Sequence, residues 1–175
     1  RGASVGSSAA RRRAQLLALR PDLQPLDLRG NVETRVGKLR DGRYDAILLA
    51  AAGLQRLELD LTDLQVTRLE PTTFLPAPAQ GALALECRAD REELRRVLAQ
   101  LDHATTSRTV AAERGLMARL DGGCQLALGA HATTDGPRIT LTAWYESRVV
   151  CVQHESVVGV VEAAFTALNL DEAPA

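Results

Sequence analysis

Aromatic residues are nearly absent: Phe, Tyr and Trp together make up 3% of the 175 residues. Any core must therefore be built from Leu, Val, Ala and Ile, and an aromatic platform for stacking nucleotide bases is excluded. No apolar run approaches the ~20 residues of a membrane span, and no secretory leader is expected. The first residue is Arg1 rather than Met, so the chain is expected to be a fragment or a processed product. Lysine occurs once, as Lys38. Cysteine occurs three times, as Cys87, Cys124 and Cys151, an odd number at wide spacing. That excludes a disulfide framework and shows no zinc-ligand spacing, so no metal is expected. Free thiols suit a reducing cytoplasm.

What is present is ordinary in amount but uneven in place. The 46% hydrophobic and 25% charged content is that of a globular protein. Residues 1–56 carry 11 Lys and Arg against 5 Asp and Glu, a net of +6; the remainder carries 10 against 17, a net of −7. The basic half is almost all arginine. A guanidinium presents a planar fork to carboxylate or phosphate that an ammonium cannot copy. The partner implied is a small polyanion, most simply a polycarboxylate. Nucleic acid is disfavoured because no recognisable binding module is present. The plain alternative is surface ion pairing with Asp27, Glu33, Asp41 and Asp45, worth only ~0–1 kcal/mol for each exposed pair.

Elements follow from periodicity and punctuation. A strand is expected to end at Val5-Gly6-Ser7-Ser8, with the serines capping a helix over Ala9 to Leu19 that Pro21 stops. Leu26-Asp27-Leu28 forms a short strand, Arg29-Gly30-Asn31 a turn, and Val32 to Leu39 a helix. Tyr44 to Ala50 is an apolar run of the kind buried in parallel sheets, followed by a short helix from Ala51 to Leu57. This alternation indicates an α/β layer structure. The proline-rich stretch 72–81 is a linker, Ala82 to Cys87 a strand, and Asp90 the cap of a helix over Arg91 to Leu101. Thr105 or Thr106 caps the next helix, in which an apolar stripe is interrupted by charge at Glu113 and Arg114. Three strands, Leu126 to Ala132, Arg138 to Tyr145 and Arg148 to Val152, and a covering helix over Val157 to Leu168 make an α+β unit with an antiparallel sheet. Cys87 and Cys151 lie in apolar runs and are expected as inert core thiols.

The chemistry concentrates at two places. Arg11 and Arg12 follow Ser7-Ser8 at a helix start, where unpaired amides and the helix dipole favour an anion. Arg29 ends a strand, Arg35 lies one turn into the following helix, and Arg56 follows the next strand. Open α/β sheets bind ligands at that edge. The second place is Cys124, at the tip of Asp121-Gly122-Gly123-Cys124-Gln125 after a helix. A thiolate near arginines is a nucleophile able to form a thioether or thioester. None of His103, His131 and His154 has a context that makes a Cys–His dyad. An unmodified loop cysteine is the alternative at this point.

Taken together these motifs resemble the porphobilinogen deaminases, also called hydroxymethylbilane synthases. The matching residues are Val5-Gly6-Ser7-Ser8 with Arg11-Arg12, Leu28-Arg29-Gly30-Asn31-Val32 with Thr34-Arg35, and Tyr44-Asp45-Ala46-Ile47-Leu48. Ala52-Gly53-Leu54 with Arg56, Leu75-Pro76 with Ala79-Gln80-Gly81-Ala82, Ala112-Glu113-Arg114 and Leu120 to Gln125 continue the series in the family's order. They cover roughly residues 4 to 130; the strands beyond 138 carry little motif signal.

The resemblance implies a transferase of tetrapyrrole biosynthesis that joins four porphobilinogen units head to tail with release of ammonia. It implies a dipyrromethane cofactor held by a thioether at Cys124, with Ser7, Ser8, Arg11, Arg12, Arg29, Gly30, Arg35 and Gln80 around it. Arg11, Arg29, Arg35 and Arg56 would take substrate carboxylates. It further implies residues 1–75 as a partial second domain of periplasmic-binding-protein-like α/β fold, and 76–101 as a crossing segment that pairs with an absent first domain. Residues 102–175 would be a small α+β domain with a three-stranded antiparallel sheet and the cofactor cysteine. The family's catalytic aspartate would lie in the absent domain, so no catalytic residue is assigned here and the chain alone is expected to be inactive. A cytoplasmic monomer with porphobilinogen and the growing polypyrrole as partners, and neither nucleic acid nor membrane, completes the expectation. The competing reading is a non-catalytic module of the same ancestry that binds anionic ligands.

Overall fold

The computed structural model describes residues 2–123 and 125–168. The chain begins with strand β1 (Ser4–Gly6), helix α1 (Ala10–Leu19), strand β2 (Gln24–Leu26), helix α2 (Val32–Arg40), strand β3 (Ala46–Ile47) and helix α3 (Ala51–Leu57). The three strands form one parallel sheet in the order β2-β1-β3. Strand β2 lies two residues earlier than the sequence suggests. Gln24 donates its amide to the Ala3 carbonyl and the Leu26 carbonyl accepts from Ser7 N, while both main-chain groups of Leu28 are claimed by the Ser8 hydroxyl. Ser8 is thereby withdrawn from capping, and α1 starts after Ala9 with no side-chain cap. Helix α2 is capped by Asn31, whose Oδ1 accepts from Thr34 N at 2.8 Å. Gly30 before it sits at φ 117, a left-handed conformation that glycine adopts without strain. Strand β3 is parallel as expected but only half-buried at Ile47, because it is an edge strand.

Residues 58–91 contain turns but neither helix nor strand. The strand expected at Ala82 to Cys87 is absent, and Leu83 and Leu85 are 76% and 60% exposed. An apolar run makes a strand only where another strand takes up its amides and carbonyls; no described strand does so here. Helix α4 (Glu92–Ala99) follows with no buried residue. Its expected cap, Asp90, instead pairs with Arg88 at 2.6 Å. Cys87 is half-buried, not a core thiol. It borders an open depression of about 610 Å³ with Leu85, Arg95 and Leu98.

The second half packs far better. Helix α5 (Ala104–Arg119), strands β4 (Gly129–Asp135), β5 (Arg138–Tyr145) and β6 (Arg148–His154), and helix α6 (Val157–Ala167) form an antiparallel sheet in the order β4-β5-β6 with both helices on one face. His103, not a threonine, caps α5: its Nδ1 accepts from Thr106 N. Ala130, Ala132, Ile139, Leu141 and Ala143 face Leu116, Val160, Ala164 and Phe165 in one core. Alternation sends the other residues to the far face. Cys151 pairs with Thr142 there and is exposed, which overturns its expected burial.

Candidate functional site

The C-terminal ends of the three parallel strands converge on the start of α1. Arg11 is buried and donates through Nη1 to the Leu75 carbonyl at 2.5 Å. Arg12 donates to the Leu48 carbonyl, just past β3, at 3.0 Å. Arg35 donates from Nε to the Gly30 carbonyl at 2.8 Å. None of the three has a carboxylate within ion-pair distance among the described residues. Burial, then the charge of Arg12, lowers the Arg11 pKa to about 10; burial, then Arg35, lowers that of Arg12. Arg12 thus carries a like charge on either side, Arg11 and Arg35, with no acidic partner among the described residues, and a bound anion would relieve that repulsion. Ser7 Oγ, buried beside them in sequence, has no hydrogen-bond partner among the described residues. A buried hydroxyl without a partner costs about 1–3 kcal/mol, which a ligand oxygen would recover.

The other expected site residues are placed less closely. Ser8 is used by Leu28. Arg29 is exposed and 3.6 Å from Asp27, so the surface ion-pair alternative holds for that residue. Arg56 is exposed near the end of α3. Gln80 is exposed at the tip of a turn closed by Gln80 N to the Ala77 carbonyl and Ala82 N to the Ala79 carbonyl. Cys124 lies outside the described residues; the chain reaches Gly122 and Gly123 directly after α5.

Two buried polar residues, Gln15 and Glu113, tie the parts together, and neither was among the site residues expected from the sequence. Gln15 clasps Leu75 through both main-chain groups: Oε1 accepts from its N–H at 2.8 Å and Nε2 donates to its carbonyl at 3.0 Å. Glu113 of α5 accepts from Ala132 N of β4 at 2.8 Å and from Ala79 N at 2.7 Å. Ala130 N donates to the Pro76 carbonyl at 2.9 Å, so linker 75–79 runs along the free edge of β4. Ala79 adopts φ 62, a left-handed backbone costing a non-glycine residue roughly 1–2 kcal/mol. Burial pushes the Glu113 carboxyl up, and the two amides and His131 pull it partly back. The signal for Glu113 was its break in the apolar stripe of α5; Gln15 gave none.

Two family models match the chain: the porphobilinogen deaminase dipyromethane cofactor binding domain over residues 1–96, and the porphobilinogen deaminase C-terminal domain over residues 107–150. The chain belongs to the porphobilinogen deaminase family. Relatives named porphobilinogen deaminase include that of Nitratidesulfovibrio vulgaris strain DP4, 55% identical over 135 residues, which are 77% of this chain and 42% of the relative. That of Roseiflexus sp. strain RS-1 is 50% identical over 147 residues, 84% of this chain and 48% of the relative. That of Bacillus cereus strain B4264 is 50% identical over 143 residues, 81% of this chain and 46% of the relative. The chain therefore spans less than half the length of these curated relatives.

Proposed function

We propose that this chain is the carboxylate-holding and cofactor-bearing part of a hydroxymethylbilane synthase. The whole protein would join four porphobilinogen units head to tail, releasing one ammonia at each condensation. The observation that carries the reading is the trio Arg11, Arg12 and Arg35, without a carboxylate partner among the described residues, at the C-terminal edge of a parallel sheet in a chain of this family. A pyrrole bearing acetate and propionate groups supplies the anions those guanidiniums lack. The orphaned Ser7 hydroxyl offers a further neutral contact, and Ser8, Arg29, Gly30 and Gln80 complete the proposed cofactor surroundings. Arg11, Arg29, Arg35 and Arg56 are the proposed contacts to substrate.

A dipyrromethane linked to Cys124 would supply the fixed primer to which substrate is added. Holding that primer turns a bimolecular condensation into a local one. The chain's own residues bind and orient carboxylates; no residue here is assigned a proton-transfer role. Residues 1–75 are read as a partial periplasmic-binding-protein-like domain, 76–101 as the segment that pairs with a first domain, and 102–175 as the cofactor-bearing domain. The bare Leu83 and Leu85 support that middle assignment. Among the described residues no helix is long and apolar enough to cross a membrane. A cytoplasmic monomer without nucleic-acid or membrane partners is the reading adopted, and this chain by itself is expected to form no product.

The test is intact mass spectrometry of the full-length protein, with mapping of the peptide that contains Cys124. A mass excess matching a dipyrromethane on that peptide, lost in Cys124→Ser, is the expected result. An unmodified Cys124 in a protein that consumes no porphobilinogen would replace this reading with the anion-binding module.

A further inference from the structure

Glu113 is the one buried carboxylate among the described residues, and the reading above gives it no task. Its two oxygens serve two different segments. One takes the amide of Ala132 on the free edge of β4, the other the amide of Ala79 in the turn that presents Gln80. Ala79 is the residue held at φ 62, and Gly81, two residues on, is at φ 91. The turn is therefore bent twice into the left-handed region, with the Glu113 bond at the first bend. Helix α5, which carries Glu113, ends two turns later and leads straight into Gly122-Gly123 before position 124. One side chain thus joins the helix leading to the cysteine loop with the turn leading to Gln80.

We propose that Glu113 is a positioning residue that sets the Ala77–Ala82 turn, and with it Gln80, against α5. The role of Gln80 rests on the functional reading above. A purely stabilising group would not need to be charged. Burial works against the ionised carboxylate here, and an apolar side chain of similar size is often the more stable choice at such a place. What a carboxylate provides and an apolar group does not is two acceptors aimed at two amides on separate segments. Glutamine cannot do the same, because one end of its amide donates.

The experiment uses the full-length protein with Glu113→Gln, and Glu113→Asp as a second variant one methylene shorter. Hydrogen exchange followed by mass spectrometry reads the peptide spanning 76–82, and steady-state assays read hydroxymethylbilane formation. Arg108→Ala is the control. Arg108 donates to the carbonyls of Gly136 and Pro137 at the opposite end of α5 and bears only on the fold. The expected result for Glu113→Gln is about tenfold faster exchange at 76–82 and about tenfold lower kcat, with KM within twofold; Glu113→Asp falls between. Arg108→Ala should lower Tm while leaving exchange at 76–82 and kcat unchanged. Unchanged exchange at 76–82 in both Glu113 variants would overturn the proposal. So would an equal loss of kcat in Arg108→Ala, since stability alone would then explain the effect. If the wild-type protein forms no product, the functional reading fails, and the exchange result alone decides whether Glu113 holds the turn.

Discussion

Residues 82–101 and residues 104–168 are both rich in Leu, Val and Ala, yet they end in opposite environments. In the second stretch Leu116, Leu128, Ile139, Leu141, Val160 and Leu168 are fully buried between two helices and a sheet. In the first, Leu83, Leu85, Val97 and Leu101 are more than half exposed. Local preference is not what separates them. Helix α4 forms, with Glu92 and Glu93 in its first turn and Arg96 in its last, as the helix dipole favours. It lacks a surface to pack on. The antiparallel sheet supplies its own partners within some 65 residues of chain, whereas the 82–87 run has no strand partner among the described residues. Apolar content states a demand for burial, and topology decides whether the demand is met.

The sharpest way to break this contrast is a pair of truncations at equal chemistry. Leu141→Ala empties the core of the antiparallel unit and should cost about 2–5 kcal/mol in denaturant unfolding. Leu85→Ala should stay within about 0.5 kcal/mol, as surface changes do. A loss above 2 kcal/mol at Leu85 would mean that the 82–87 run is packed in solution. A smaller effect sharpens how tightly the packed half is built. A Cβ on Gly115 would lie 2.8 Å from Val161 Cγ2, across the α5–α6 contact. Gly115→Ala should lower stability by about 1–3 kcal/mol through overpacking, read as a fall in Tm; an unchanged Tm would show the two helices free to part. The smallest effect is one of pH. The folded pKa of Glu113 is raised above its ordinary value of 4.5 by burial. Its contribution to stability is therefore fully present below that ordinary value and is lost as pH rises through the raised one. Between pH 4 and pH 7 the wild type should lose stability relative to Glu113→Gln, measured by urea unfolding at each pH. A difference that stays flat would place Glu113 in water.

Much of the antiparallel unit was legible beforehand. Strand β5 was expected at Arg138 to Tyr145 and is observed there, and β6 and α6 differ only at their ends. The α/β alternation of the first 57 residues was legible too, because Asn31, Gly30 and Pro21 punctuate it. The misread caps share one cause. Ser8 and Asp90 each sit within reach of a second partner that took the bond, and Thr106 meets His103, which caps α5 instead. The candidate anion site was legible as a set of arginines. Which of them lack a carboxylate was not: Arg29 faces Asp27 at 3.6 Å, while Arg11 and Arg12 have none among the described residues.

Most helix spans, the basic half and the ordered motifs that place this chain in its family can be read from the amino-acid order, since each rests on residues a few positions apart. Tertiary structure alone decided that Cys151 faces outward, that Ala82 to Cys87 stays unpaired, and that Gln15 and Glu113 bind a linker 60 and 34 residues away from them in the chain. The reason is physical. Capping and periodicity act through bonds between near neighbours, whereas burial and the pairing of buried polar groups depend on which distant segment arrives.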